Sequence, residues 1–161
     1  MNKINRKLEY ALIGLKHMRA KAPGELTSVK ELTTAYGCPF DVTSRVMQVL
    51  AQKGVLISEQ GAHGGYMLGR DLTKLSFQEL SEILLGKVAI ARCLTEASDE
   101  SGHACEMRGS CNIVTPVQVL NRKLNDFYRS LSVADLLETR SSKAKTKSPE
   151  KSPEKSTEVE A

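Results

Sequence analysis

The sequence predicts a mainly α-helical chain carrying one small β-hairpin, and three observations predict it. Apolar residues recur at helical spacing over several separate stretches. Two short alternating segments lie on either side of a Gly-rich turn, and capping or breaking residues separate the elements. The chain has 161 residues, which suits one domain plus a little, and its 40% hydrophobic content excludes wholesale disorder.

Each element follows from local residues. Residues 5–20, NRKLEYALIGLKHMRA, bring Leu8, Ala11, Leu12, Leu15 and Met18 to one helical face, and Pro23 and Gly24 stop that helix. Ser28, with Glu31 three residues later, forms a capping box that opens a short helix through Leu32 to Ala35. Gly37 breaks it, and Pro39 suits the first turn of a helix over 39–53. In that helix Val42, Val46, Met47 and Leu50 make an apolar stripe. Asp41, Ser44, Arg45 and Gln48 share a polar face able to hydrogen-bond base edges. Lys53-Gly54 ends it, and VLISEQ and GYMLGR, joined by GAHG, read as a hairpin.

Helix, short helix, turn, longer helix, hairpin is the order of a winged helix-turn-helix. Its third helix enters the major groove and its hairpin tip lies along the backbone or minor groove. The candidate DNA contacts are therefore Ser28, Lys30, Asp41, Thr43, Ser44, Arg45, Gln48, Gln60, His63, Gly64, Gly65 and Tyr66. A second capping box, Ser76 with Glu79, opens a helix over FQELSEILLGK. Residues 88–111 then lose periodicity. Thr115-Pro116 makes a helix start, a side-chain cap followed by proline, and Val117, Leu120, Leu124, Phe127 and Leu131 recur beyond it at intervals of three and four. Such a seam after a winged domain favours dimerisation.

Charge supports a nucleic-acid face. The net charge is +4, made of +5 over residues 1–70, −3 over 71–139 and +2 over 140–161. The tail, RSSKAKTKSPEKSPEKSTEVEA, repeats KSPEK and holds one strongly apolar residue, Val159, so it is expected to be disordered. No apolar run reaches the ~18 residues of a membrane helix, and MNKINRKLEY is too polar for a signal peptide. A cytoplasmic protein is expected, where four Cys point to metal or redox chemistry rather than structural disulfides. An enzyme is not expected, because the chain shows no nucleotide-binding Gly-rich strand-loop-helix and no paired catalytic carboxylates. Four regions result: a DNA-binding domain over 1–87, a cluster-binding loop over 88–111, a dimerisation helix region over 112–139 and the tail over 140–161.

Cys93, Cys105 and Cys111 are spaced Cys-x11-Cys-x5-Cys in a polar loop with two Gly between them. A loop of this kind can wrap an iron–sulfur cluster, although three Cys leave its ligation incomplete. Zinc competes as occupant, but the tight Cys-x2-Cys pair usual in zinc loops is absent. Cys38 stands apart, and a small buried core residue is its expected role. His17 is expected at the surface without a partner.

These pieces in order resemble the IscR, NsrR and RirA family of bacterial winged-helix regulators that hold an iron–sulfur cluster. The resemblance covers about residues 4–132. It rests on LEYALIGL at 8–15, SVKELT at 28–33, SRVMQVLAQKGVL at 44–56, GAHGGYMLGRD at 61–71, SFQELSEIL at 76–84 and the three late Cys. It implies a homodimer with crossing long helices, each winged domain reading half of a near-palindromic site on double-stranded DNA. It also implies a cluster, 4Fe–4S or 2Fe–2S, held by Cys93, Cys105 and Cys111. In the nitric-oxide-sensing branch a carboxylate early in the first helix, donated by the partner subunit, completes ligation, and the matching residue is Glu9. A second branch uses a His three residues after the last Cys, where this chain has Val114. His103, inside the loop, is the alternative residue that could substitute as this ligand. The x11 gap is longer than the family's usual one, and Gln60 and His63 depart from its common wing residues. The expected function is a regulator whose operator affinity responds to nitric oxide, redox state or iron through the cluster. The alternative is a zinc-stabilised or metal-free winged-helix repressor.

Overall fold

The computed structural model describes residues 4–61, 64–87, 89–91, 94, 105 and 110–138. Its elements are α1 (Arg6–Arg19), α2 (Val29–Tyr36), α3 (Phe40–Gln52), β1 (Leu56–Glu59), β2 (Gly65–Leu68), α4 (Phe77–Leu85), α5 (Val114–Ser130) and α6 (Val133–Glu138). The strands form one antiparallel hairpin in the register Leu56↔Leu68 to Glu59↔Gly65.

The helix α1 starts at Asn5, whose side chain accepts the Lys7 backbone N–H at 2.9 Å, and it buries Leu8, Ala11, Leu15 and Met18. Gly14 lies in the same stripe because α3 passes close by. A Cβ there would come within 2.6 Å of Met47 Cε, so the methionine end occupies the space a side chain would need. Met47, Leu50, Leu32, Val55, Leu75 and Leu80 fill the centre of the core.

Both expected capping boxes form by half. Ser28 Oγ accepts the Glu31 N–H and Ser76 Oγ accepts the Glu79 N–H, each at 3.1 Å. Neither glutamate completes the box; each carboxylate ties its helix to another element instead. Glu79 takes Arg70 in a two-pronged pair at 2.5 and 3.2 Å. Glu31 binds Lys21 Nζ and His17 Nε2, each at 2.7 Å. The hydrogen bond from Lys21 holds the Glu31 carboxyl below its ordinary pKa against the opposing effect of burial. His17 therefore has partners, contrary to expectation, for Tyr36 Oη also lies 2.9 Å from its Nδ1. Together these side chains fasten the end of α1 to α2.

Three boundaries differ from the sequence reading. Pro39 is the N-cap of α3 rather than a first-turn residue. The helix α5 starts at Val114 after an Ile113 cap, so Thr115 makes no cap and Pro116 sits in the first turn, where its missing N–H still has no helical acceptor to lose. The helical region stops at Leu131, and α6 follows. Ser132 opens it by accepting the Asp135 N–H at 3.0 Å.

This last helix returns to the winged core. Val133 N–H donates to Leu75 O at 2.8 Å and Ala134 N–H to Leu72 O at 3.1 Å, while Phe77 N–H donates to Leu131 O at 2.8 Å. Val133 and Ala134 are buried. Arg19, at the end of α1, donates to Ala134 O at 2.9 Å and pairs with Glu138. By contrast α5 buries nothing fully. Its Tyr128 meets Phe77 of α4 edge to face, whereas Ile113, Leu120 and Phe127 are more than half exposed. Among the described residues no helix is long and apolar enough to cross a membrane.

Candidate nucleic-acid interface

The two faces of α3 are set by helical geometry. Thr43, Val46, Met47 and Leu50, spaced three, four and seven residues apart, are buried. This corrects two expectations. Thr43 belongs to the core stripe, not among the DNA contacts, because its position on α3 turns it into the core. Val42, expected in the stripe, is 36% exposed. On the opposite side Asp41, Arg45 and Gln48 are exposed and Ser44 is half-buried at their edge. The Gln48 amide reaches Ser44 Oγ at 3.5 Å, and the Arg45 guanidinium has no partner among the described residues. Asp41 in the first turn suits the positive end of the helix dipole.

Sequence reasoning missed Gln52, one turn beyond Gln48 and exposed on the same side. The i, i+4 continuation from Gln48 was the available signal. Gln48 and Gln52 both border the two hollows that flank α3. One, of about 890 Å³, lies toward α2 and the hairpin, with Ser28, Ile57, Gln60, Gly64 and Tyr66 in its walls. The other, of about 530 Å³, lies toward α1 and α4, with Lys7, Val42, Val49 and Leu84 in its walls. The helix is thus a ridge with a depression on each side.

The wing is stapled to the start of α2. Thr27 N–H donates to Tyr66 O at 2.8 Å, and Tyr66 N–H donates to Thr27 O at 2.9 Å. Sequence reasoning did not name Thr27, which is fully buried. The pairing brings Ser28 and Tyr66 to one side of the larger hollow, while exposed Lys30 lies beyond it, by a separate shallow depression that Ser28 also borders. The same pairing explains Gly65, while the hairpin's own turn explains Gly64. A Cβ on Gly64 would lie 2.5 Å from Glu59 O, and one on Gly65 would lie 2.8 Å from Thr27 O, so backbone blocks a side chain at both places. Gly65→Ala is expected to force the two chains apart, at a cost of about 1–3 kcal/mol typical of overpacking. Urea unfolding checks the cost, and fast amide exchange at Tyr66 with intact helices would locate it. Gln60 is exposed at the tip; His63 lies outside the described residues.

The expected cluster ligands are only partly described. Cys105 and Cys111 are free thiols, half-buried, before and at the approach to α5. Cys93 and the alternative His103 lie outside the described residues. Glu9 sits on α1, paired with Arg6 at 3.2 Å. Among the described residues no three Cys, His, Asp or Glu side chains come together in one chain as a metal site. Cys38 is buried just before α3, as expected for a core residue, and burial pushes its thiol above the ordinary pKa.

Comparison with known proteins agrees with this geometry. The profile of the Rrf2 family, described as iron-dependent transcriptional regulators, matches residues 4–139. A protein of Aquifex aeolicus (strain VF5), described as an HTH-type transcriptional regulator, is 24% identical over 132 residues, 81% of this chain and 88% of its own. Among solved structures, CymR, the global cysteine regulator of B. subtilis, superposes with a TM-score of 0.62 at 19% identity, covering 85% of this chain and 97% of its own. IscR of T. potens gives 0.55 at 16% identity, covering 85% and 86%. At these identities the structural likeness is one of fold, and it bears out the mainly α architecture with a hairpin wing.

Proposed function

The chain belongs to the Rrf2 family of winged-helix transcriptional regulators, and from that premise we propose a homodimeric regulator that reads a near-palindromic operator through α3 and the wing. Its affinity is set by an iron–sulfur cluster that responds to nitric oxide, redox state or iron. The observation that carries the DNA reading is the exposed row Asp41, Arg45 and Gln48 on a helix whose opposite side is locked into the core. Arg offers a two-pronged contact to guanine and Gln one to adenine. Ser44 borders this row. Ser28, Lys30, Gln60, Gly64, Gly65 and Tyr66 face the neighbouring backbone, and His63 joins them on sequence grounds.

The dimer reading rests on α5, where Ile113, Leu120 and Phe127 stand bare along the helix. A second copy is the partner that this self-complementary seam suits. The donor set fits an iron–sulfur cluster chemically, since Cys105 and Cys111 are free thiols beside a polar loop and thiolates are the usual cluster ligands. Cys93 completes the cysteines, and Glu9 of the partner subunit supplies the fourth ligand. When bound, the cluster supplies iron that oxidants and nitric oxide attack. The chain's own contribution is to hold the loop start against α5, where Asn121 Oδ1 accepts the Ile90 N–H at 3.3 Å.

The test is DNA binding by anaerobic holo and apo protein on the duplex upstream of the protein's own gene. Affinity is expected to differ between the two forms, and Arg45→Ala is expected to cost about 1–3 kcal/mol and to relax sequence preference. Equal affinity of the two forms would overturn cluster control and favour the metal-free repressor. Unchanged affinity and specificity for both Arg45→Ala and Gln48→Ala would move the reading surface to the wing.

A further inference from the structure

The hollow between α1 and α4 on one side and α3 on the other has a divided character. Its apolar lining is Val42, Val46, Val49 and Leu84; its polar lining includes Lys7 from α1 and Arg45, Gln48 and Gln52 from α3. Arg6, the neighbouring cation, is held by Glu9. Lys7 is exposed in the first turn of α1, and among the described residues its ammonium has no ion-pair partner. The one acid in its lining is Asp41, which lies on the outward row of α3 where a cytosine amino group could be met.

A helix seated in a major groove about 12 Å wide has a sugar–phosphate strand on each side. On the DNA-binding reading above, the wing-side hollow takes one strand. We propose that the hollow between α1 and α3 receives the other, with sugar edges over the valines and a phosphate on Lys7, making α1 part of the DNA footprint. The inference rests on the DNA-binding reading above and adds a contact that sequence reasoning did not name. A phosphate contact positions without specifying, so its loss must weaken binding to every sequence alike.

The experiment measures binding of the full chain to two duplexes, the upstream region and a scrambled one, over a range of salt concentrations. Lys7→Gln is expected to lower the slope of log affinity against log salt by about 0.9 for each bound protomer, equally on both duplexes. Lys7→Arg is expected to restore the slope. Lys16 is exposed on the same helix nine residues on, which is half a turn round, and Lys16→Gln is expected to leave the slope unchanged. A wild-type slope for Lys7→Gln, or an equal loss for Lys16→Gln, would overturn the α1 contact while leaving the α3 reading intact. Failure of the wild-type protein to bind either duplex would overturn the DNA-binding reading itself, and this contact with it.

Discussion

Protein purified without oxygen is expected to carry iron and sulfide, and Cys93→Ser, Cys105→Ser and Cys111→Ser are each expected to carry none. Each thiolate offsets iron charge, and the loop holds no spare Cys. Cys38→Ser is expected to keep the cluster. Burial raises the Cys38 pKa, which opposes the thiolate a metal needs, and the residue is packed just ahead of α3. Glu9→Ala is expected to assemble a cluster with a shifted spectrum or faster loss in air, because a carboxylate is the weakest of the four ligands and water can replace it. The helix persists, since Ala is a good helix former. Glu9 pairs with Arg6 on α1, and the family resemblance is what assigns the fourth ligand to the partner subunit's Glu9. A mixed dimer of Glu9→Ala and Cys105→Ser chains decides this. Sharing across the interface leaves one site with all four ligands and the other lacking two; ligation within a subunit leaves both defective. Colourless protein with stoichiometric zinc would sink the cluster altogether.

A chain ended after Ser130 is expected to lose most of its stability, whereas one ended after Thr139 is expected to unfold like the full protein. The shorter chain lacks Val133, which is fully buried, and burying a valine side chain contributes about 1.5–3 kcal/mol. It also leaves Leu75 O, Leu72 O and the Phe77 N–H without the partners they have in the native fold. Each buried polar group left unpaired costs about 1–3 kcal/mol. The total approaches the whole stability of a domain this size, about 5–15 kcal/mol. Val133→Asp in the full chain is the point-mutation counterpart. Urea unfolding followed by circular dichroism checks both; equal midpoints for the two truncations would show that α6 merely rests on the core.

The winged architecture was legible because its signals are local. Ser28 and Ser76 announce their helices, Gly64-Gly65 marks the hairpin, and the polar residues of α3 recur at helical spacing. The errors arise where hydrophobicity and geometry disagree. Val42 looks like core and Thr43 does not, yet the spacing to Val46, Met47 and Leu50 puts Thr43 inside. A short β-branched side chain suits that place, although its hydroxyl makes no hydrogen bond among the described residues. The helix α6 escaped because six residues are too few for a periodic pattern, leaving the Ser132–Asp135 spacing as the only local sign. The partners of His17 were hidden by distance along the chain, lying 14 and 19 residues away. The proposed cluster site is hardest of all, since its expected ligands are scattered through a stretch of sequence without periodicity and one is expected from another chain.

The return of α6 to α1 also bears on how the protein comes into being. Arg19 leaves the ribosome 115 residues before the Ala134 carbonyl that it must meet. At ~5–20 residues per second that interval is roughly 6–23 s. Through that time the emerging chain already holds α3 and the wing, but the pocket that Val133 fills stays open. A polypeptide released early, by a stalled or cleaved message, would therefore carry α3 without the completed core that holds it. The contact between the two ends of the fold thus makes completion of the chain a condition for completing its core.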